Sequence, residues 1–200
     1  MLKSKRKGFS LVELMVVIAI MSILMMAAIS SFSFYYKTFA ETKLVNLQKM
    51  IEFSVIRARA DGTTVIICKA DAESSFDDKG KLDSNSFKCF TGDNAQSWGD
   101  DPIVAFESKN GEPSYVAADD EIIANLPQGH NEHLYLNFSG GPSYIKIKSN
   151  GFMATGNGNI VYCDKTNSYQ AALVANLVGR VRYTDDNPTK SNGDKTYTCN

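Results

Sequence analysis

The chain has 200 residues, 44% hydrophobic and 22% charged. That suffices for one domain with its own core plus an accessory element and is too short for two ordinary domains. Its 21 Lys and Arg against 22 Asp and Glu give a net charge of −1, which argues against a general nucleic-acid binder.

The apolar residues are unevenly spread. A basic tip, Lys3, Lys5, Arg6 and Lys7, ends at Gly8. Between Leu11 and Ile29 the polar side chains are Glu13 and Ser22. A run of about 20 apolar residues is what a helix needs to cross a bilayer. No basic residue follows until Lys37, so the positive-inside rule places the N-terminus in the cytoplasm and the rest outside it. A cleaved secretory signal has a similar basic and apolar layout. Here the apolar run is longer and a helical pattern continues beyond it, so a retained helix is expected. The carboxylate of Glu13 needs a reason in such surroundings. A lone Glu near a helix start, drawn to headgroups or to the helix dipole, is one. A nearby positive charge is the other.

Beyond the apolar run, Leu44, Leu47, Ile51, Val55 and Ala58 recur at steps of three and four, while Lys43, Asn46, Lys49 and Arg57 fall largely elsewhere on the wheel. This is an amphipathic extension, and Asp61-Gly62 is its natural stop. One helix from about Ser10 to Ala60 would be roughly 75 Å long at 1.5 Å per residue.

After Gly62 the pattern turns to strands: 64–68, 102–106, 134–138, 144–148, 160–163, 171–174 and 179–183. Ser139-Gly140-Gly141-Pro142 is a turn signal between two of them. No helix intervenes, so an antiparallel sheet system is expected. Asp71 to Ser86 and Asp185 to Lys195 read as polar loops. Cys68, Cys89, Cys163 and Cys199 contain no CxxC pair, and an even count in an exported domain suggests disulfides. Three pairings are possible. Nearest neighbours, Cys68–Cys89 and Cys163–Cys199, each enclose one of the two loops and are the pairing expected.

The run Gly8-Phe9-Ser10-Leu11-Val12-Glu13 resembles the class III signal of type IV pilins and type II secretion pseudopilins. The resemblance implies that a prepilin peptidase cuts after Gly8, that Phe9 becomes an N-methylated N-terminus, and that Glu13 is the family's assembly glutamate. Cutting there removes four of the 21 cations and takes the net charge from −1 to −5, terminal charges aside. It also creates an amine at Phe9, and the amine of a neighbouring subunit is a natural counter-charge for a buried carboxylate.

Past the helix, ARADGTTVIICKAD with a second Cys, WGDDPIVAFES, IKIKSNGFMATGNGNIVYCD and GRVR are similar to the GspH/FimT branch. There a cysteine-bearing strand is followed by a second cysteine and a Trp-led strand. The loop 71–86 and the tail after Tyr183 are longer than that pattern. The resemblance implies an α+β, pilin-like fold: a leader over 1–8, a helix over 9–62 with about 9–30 in the membrane, and a periplasmic β-rich domain over 63–200. It implies a minor subunit that initiates or tips a type IV pilus or a type II secretion pseudopilus, not an enzyme, and neither cofactor nor metal. The partners implied are other minor pilins, the major pilin, the inner-membrane assembly platform, the prepilin peptidase and the inner membrane itself, crossed once.

Gly179-Arg180-Val181-Arg182 is the sharpest candidate outside the helix. On a strand, Arg180 and Arg182 share a face while Val181 points inward, and two guanidinium groups can contact phosphates. The motif resembles the GRxR site of DNA-binding competence pilins, which makes DNA an alternative partner. A solvated strand face beside Asp185 and Asp186 is the plainer reading. His130 and His133 lack the HExxH spacing. Asp77, Asp78 and Asp83 lack the register of a calcium loop. Trp98 reads as a core edge. No nucleophile–base pair is visible.

Overall fold

The computed structural model describes residues 10–71, 74–76, 81–92, 95–99, 101–129, 132–164 and 169–185, with the side chains of 27–33, 36 and 132 outside that description. One helix, α1 (Leu11–Asp61), opens the chain. It carries no Gly or Pro in those 51 residues, so nothing in the sequence interrupts it. It stops where expected: Gly62 takes φ +68°, the left-handed conformation that ends helices. Contacts divide the chain into two units, Met1–Thr38 and Phe39–Asn200.

In the second unit the helix buries the predicted stripe. Leu44, Leu47, Ile51 and Ala58 are fully buried and Val55 nearly so, joined by Ala40 and Met50. Among the described residues nine strands follow: β1 (Thr64–Lys69), β2 (Ser97–Gly99), β3 (Ile103–Ser108), β4 (Glu121–Leu126), β5 (Glu132–Phe138), β6 (Tyr144–Ile147), β7 (Gly158–Asp164), β8 (Gln170–Ala175) and β9 (Val181–Thr184). They form two sheets, of order β4-β3-β1-β6 and β2-β5-β7-β8-β9. Every strand pair in them is antiparallel. The fold is α+β, an N-terminal helix packed on an antiparallel sheet domain.

One apolar cluster joins the helix stripe to Val65, Ile67, Ile103, Ala105, Ile145 and Ile147 of the first sheet. The same cluster takes in Trp98, Leu134, Leu136, Ile160, Tyr162, Leu173 and Val181 of the second. These alternate along their strands with residues of the opposite face, as period two requires. Trp98 is deeper than its expected place at the core edge. It is fully buried, and its indole N–H donates to the Ser143 carbonyl at 3.0 Å.

Strand β1 is buried on both faces, which is why it reads as a continuous apolar run. Its outer residues, Ile66 and Cys68, join Val104, Phe106, Ala70 and Phe87 in a second cluster. The cover comes from the segment read as a polar loop. The Cys68–Cys89 bridge closes it, with Cα atoms 5.7 Å apart. Phe90 N–H donates to Lys69 O at 2.9 Å and Asp71 N–H to Lys88 O at 2.9 Å. Phe87 then stacks edge-on against Phe106 and Tyr115, at centroid distances of 5.8 and 5.2 Å. Lys69 secures the base: its ammonium donates to Ser97 O at 3.0 Å, pairs with Asp101 at 3.2 Å and lies 3.9 Å from the Phe90 ring centroid.

The fold departs from the sequence reading in two places. The Trp-led strand is two strands in different sheets, β2 and β3. The chain turns between them through Asp101, whose N–H donates to Trp98 O at 3.1 Å, and Pro102, which has no N–H to give a ladder. Strand β4 was not anticipated. Its sequence, EIIANL, neither alternates nor favours strand at Ala and Asn. Pairing with β3, through a bulge between Ala105 and Phe106, imposes it. Arg57 ties the helix end to this edge, 2.8 Å from Glu107, 3.0 Å from Asp61 and 3.9 Å from Glu121. The Glu107 hydrogen bond is the main cause that raises its pKa.

A loop closed over 21 residues stabilises by about 3 kcal/mol through chain entropy. Replacing both cysteines, Cys68→Ala with Cys89→Ala, is therefore expected to lower the unfolding free energy by about that amount. The shift in urea midpoint measures it; an unchanged midpoint would show that the cover over β1 does not depend on the bridge.

Candidate functional site

The first helical turn gives Glu13 a local role. Ser10 precedes the helix, and its carbonyl accepts the Leu14 N–H at 3.2 Å. The Ser10 Oγ accepts the Glu13 N–H at 3.2 Å. The Glu13 carboxylate accepts the Ser10 N–H at 3.2 Å and lies 3.4 Å from its Oγ. This is a reciprocal capping box, Ser at the N-cap and Glu three residues on. The S-x-x-E spacing was readable in the sequence and was overlooked beside the apolar run. The box provides donors for the carboxylate but no counter-charge. Gly8 and Phe9 lie outside the described residues.

Around Glu13 the helix is apolar on every side. Thirteen large hydrophobic residues between Leu11 and Met26 are at least 42% exposed. The one hydroxyl among them, Ser22, donates to Ile18 O at 2.8 Å, so it makes no outward demand for water. Among the described residues no helix is long and apolar enough to cross a membrane. The run read as doing so continues to Ile29, past Met26, into residues whose side chains lie outside the description.

Arg180 and Arg182 are exposed and flank Val181, which is 6% exposed. They thus share the outward side expected of them, although Arg180 precedes β9 rather than lying within it. A turn holds it there: Arg180 N–H donates to Asn176 Oδ1 at 2.9 Å, and Asn176 N–H to Arg180 O at 3.0 Å. Asp185 is exposed nearby in sequence, and Asp186 lies outside the described residues.

The remaining candidates resolve into local structure. His133 stacks on Tyr135 at 6.3 Å; His130 lies outside the described residues. Asp83 accepts hydrogen bonds from Asn85 N–H at 2.9 Å and Ser86 Oγ at 3.1 Å, which lower its pKa; Asp77 and Asp78 lie outside the described residues. Among the described residues no three His, Cys, Asp or Glu side chains are placed to hold a metal. Cys163 is disulfide-bonded, and its expected partner, Cys199, lies outside the described residues. A cavity of about 340 Å³ opens beside the aromatic cover, lined by Ser86, Phe87, Lys88, Pro113 and Tyr115 among others. Burial first, then Asp120 and Glu121, raises the Tyr115 pKa.

Residues 3–29 match the prokaryotic N-terminal methylation motif. No curated protein matches the chain. Crystal structures of the Pseudomonas aeruginosa PAO1 type IV minor pilin FimU are similar in two crystal forms, both at a TM-score of 0.45 over 74% of this chain. Identity is 12% over 87% of the one FimU chain and 13% over 91% of the other. The motif spans the basic tip and the apolar run, 27 of the 200 residues.

The capping box makes a separable prediction. Ser10→Ala removes the N-cap, worth about 1 kcal/mol, and is expected to speed exchange of the Glu13 amide roughly fivefold in detergent micelles. Glu13→Gln preserves the S-x-x-E/Q pattern and is expected to leave that exchange within about twofold. Equal acceleration in both variants would contradict the box.

Proposed function

We propose that this chain is a minor pilin or pseudopilin, a structural subunit for initiation or the tip of a type IV pilus or type II secretion pseudopilus. The match of residues 3–29 to the N-terminal methylation motif is the observation that carries the reading. In this account the prepilin peptidase cuts after Gly8 and Phe9 becomes the methylated terminus. The apolar helix holds the chain in the inner membrane, N-terminus inward and sheet domain in the periplasm, before entering the fibre. Other minor pilins, the major pilin and the assembly platform are its partners, and it catalyses no reaction of its own.

Glu13 fits a subunit that changes surroundings. Its box needs no other chain, yet leaves one negative charge uncompensated in an apolar segment. Desolvating that charge is unfavourable until a positive group arrives. The Phe9 amine of a neighbour is such a group, and the pairing would set axial register.

DNA binding is the second reading, and the paired exposure of Arg180 and Arg182 about a buried Val181 favours it. Such contacts would be insensitive to sequence and weakened by salt.

Mass spectrometry of the mature N-terminus should find N-methylated Phe9; a chain that keeps Met1 or begins beyond Ile29 refutes the processing. Glu13→Gln is expected to reduce incorporation into fibres at least tenfold while processing continues; unchanged incorporation would remove the charge from assembly. For the second reading, the full chain in detergent should shift DNA at low salt, and Arg180→Ala with Arg182→Ala should abolish the shift. No shift, or one indifferent to those substitutions, excludes it.

A further inference from the structure

The cavity of about 340 Å³ beside the aromatic cover stands between the excursion that follows β1 and the loop that joins β3 to β4. Phe87, Lys88 and Cys89 line one side, and Pro113, Ser114 and Tyr115 the other.

Both walls are fixed from within the chain. The Cys68–Cys89 bridge holds the first, and buried Phe87 packs edge-on against Phe106 behind it. Asp120 holds the second. Its carboxylate is buried and accepts Lys109 N–H at 3.0 Å and Val116 N–H at 2.8 Å. Ser108 Oγ donates to Glu112 O at 2.9 Å in the same loop. Tyr115 then joins the walls, its ring centroid 5.2 Å from that of Phe87 and 5.3 Å from that of Phe106. A cavity built in this way loses little affinity to ordering its own side chains.

The backbone at Cys89 has an unused side. Ala70 and Cys89 form an isolated antiparallel bridge, yet the hydrogen bonds that make it come from their neighbours. Phe90 N–H donates to Lys69 O, and Asp71 N–H to Lys88 O. Successive residues of an extended segment turn these groups to opposite sides, so the N–H and C=O of Cys89 point away from Ala70.

Charge narrows the ligand. Among the described residues no Asp or Glu lines the cavity. Lys88 does; it is exposed and enters none of the ion pairs among the described residues. The acids nearby in sequence are occupied elsewhere or stand outside. Asp83 accepts from Asn85 N–H and Ser86 Oγ, Asp120 serves its own loop, Asp119 lies 3.7 Å from Lys109, and Glu112 is exposed without lining the cavity. Burial first, then Asp120 and Glu121, raises the Tyr115 pKa, so its phenol stays neutral and adds no negative charge. A cation therefore finds no partner here. A carboxylate finds an ammonium and a backbone N–H, and such charge-assisted bonds are the strong ones. The remaining walls, Phe87, Pro113 and Tyr115, suit an apolar ring better than a polyol.

We propose that this cavity binds a small organic carboxylate carrying one apolar ring, with the carboxylate at Lys88 and the Cys89 N–H and the ring between Phe87, Pro113 and Tyr115. The volume lies at the lower end of the roughly 300–1,000 Å³ of small-molecule pockets, which fits a single ring. A free aromatic acid and a peptide ending in Phe both offer this chemistry. The inference draws nothing from the assembly reading, and each stands without the other.

The test is amide NMR of the full chain in detergent micelles, titrated with 3-phenylpropionate, with its neutral amide 3-phenylpropionamide and with the peptide Gly-Gly-Phe. The acid is expected to give saturable shifts confined to residues 85–91 and 113–117, and the neutral amide to bind roughly tenfold more weakly. Lys88→Gln should weaken the acid by a similar factor, about tenfold, while Lys88→Arg keeps its affinity within about twofold. Tighter binding of Gly-Gly-Phe than of the acid assigns the ligand to a chain end, and weaker binding to a free acid. Equal binding of acid and amide, or an affinity indifferent to Lys88→Gln, overturns the carboxylate site. Unsaturable shifts, or shifts centred on Leu11–Met26, show partition into the micelle and overturn it too.

Discussion

The sheet domain depends on one contact, the burial of the α1 stripe Ala40–Ala58 against the inner faces of both sheets. Neither sheet covers its own inner face, and the helix supplies surface to both. A side chain removed from this stripe would leave a cavity with walls from three elements, the situation in which truncation costs most, about 2–5 kcal/mol for Leu to Ala. The same contact explains β1. With its inner residues held by the helix, its outer ones still need a cover, and the bridged segment from Cys68 to Cys89 provides it.

Within one helix the sequence prescribes two environments. From Ala40 to Ala58 apolar residues keep to a stripe and charges take the rest. From Leu11 to Met26 they occupy every side, interrupted by Glu13 and Ser22. Lipid and a packed bundle of like helices both satisfy that pattern, which suits the proposed passage of this chain from membrane to fibre. Glu13 suits such a passage. Its carboxylate is occupied within its own turn while the chain is alone, and its charge remains for a neighbour.

Much of this was legible in the sequence because periodicity carried it. The stripe, the stop at Gly62, seven of the nine strands described and the Cys68–Cys89 bridge follow from spacing and residue type. The failures share a cause. Strand β4 has a weak local pattern and exists through its pairing with β3, a tertiary effect that propensity does not see. The split at Pro102 was hidden because the Trp98 and Ile103 stretches each look like strand and nothing local says that they serve different sheets. The loop 71–86 was read as solvated from its Asp and Ser residues, yet Phe87 at its end anchors it. The site divides likewise. Arg180 and Arg182 were placed by alternation, whereas the tie of Arg59 to Asn150 O and Val178 O had no signature in the sequence.

The pinned segment over β1 has an evolutionary corollary. Both its ends are fixed by the bridge and by Lys69, so its interior can lengthen at a cost that grows only logarithmically, about 0.6 kcal/mol per doubling. Insertions there alter the outward display without disturbing helix, sheets or register. The excursion is therefore a position where related chains can diversify what they present to their surroundings while keeping the same scaffold.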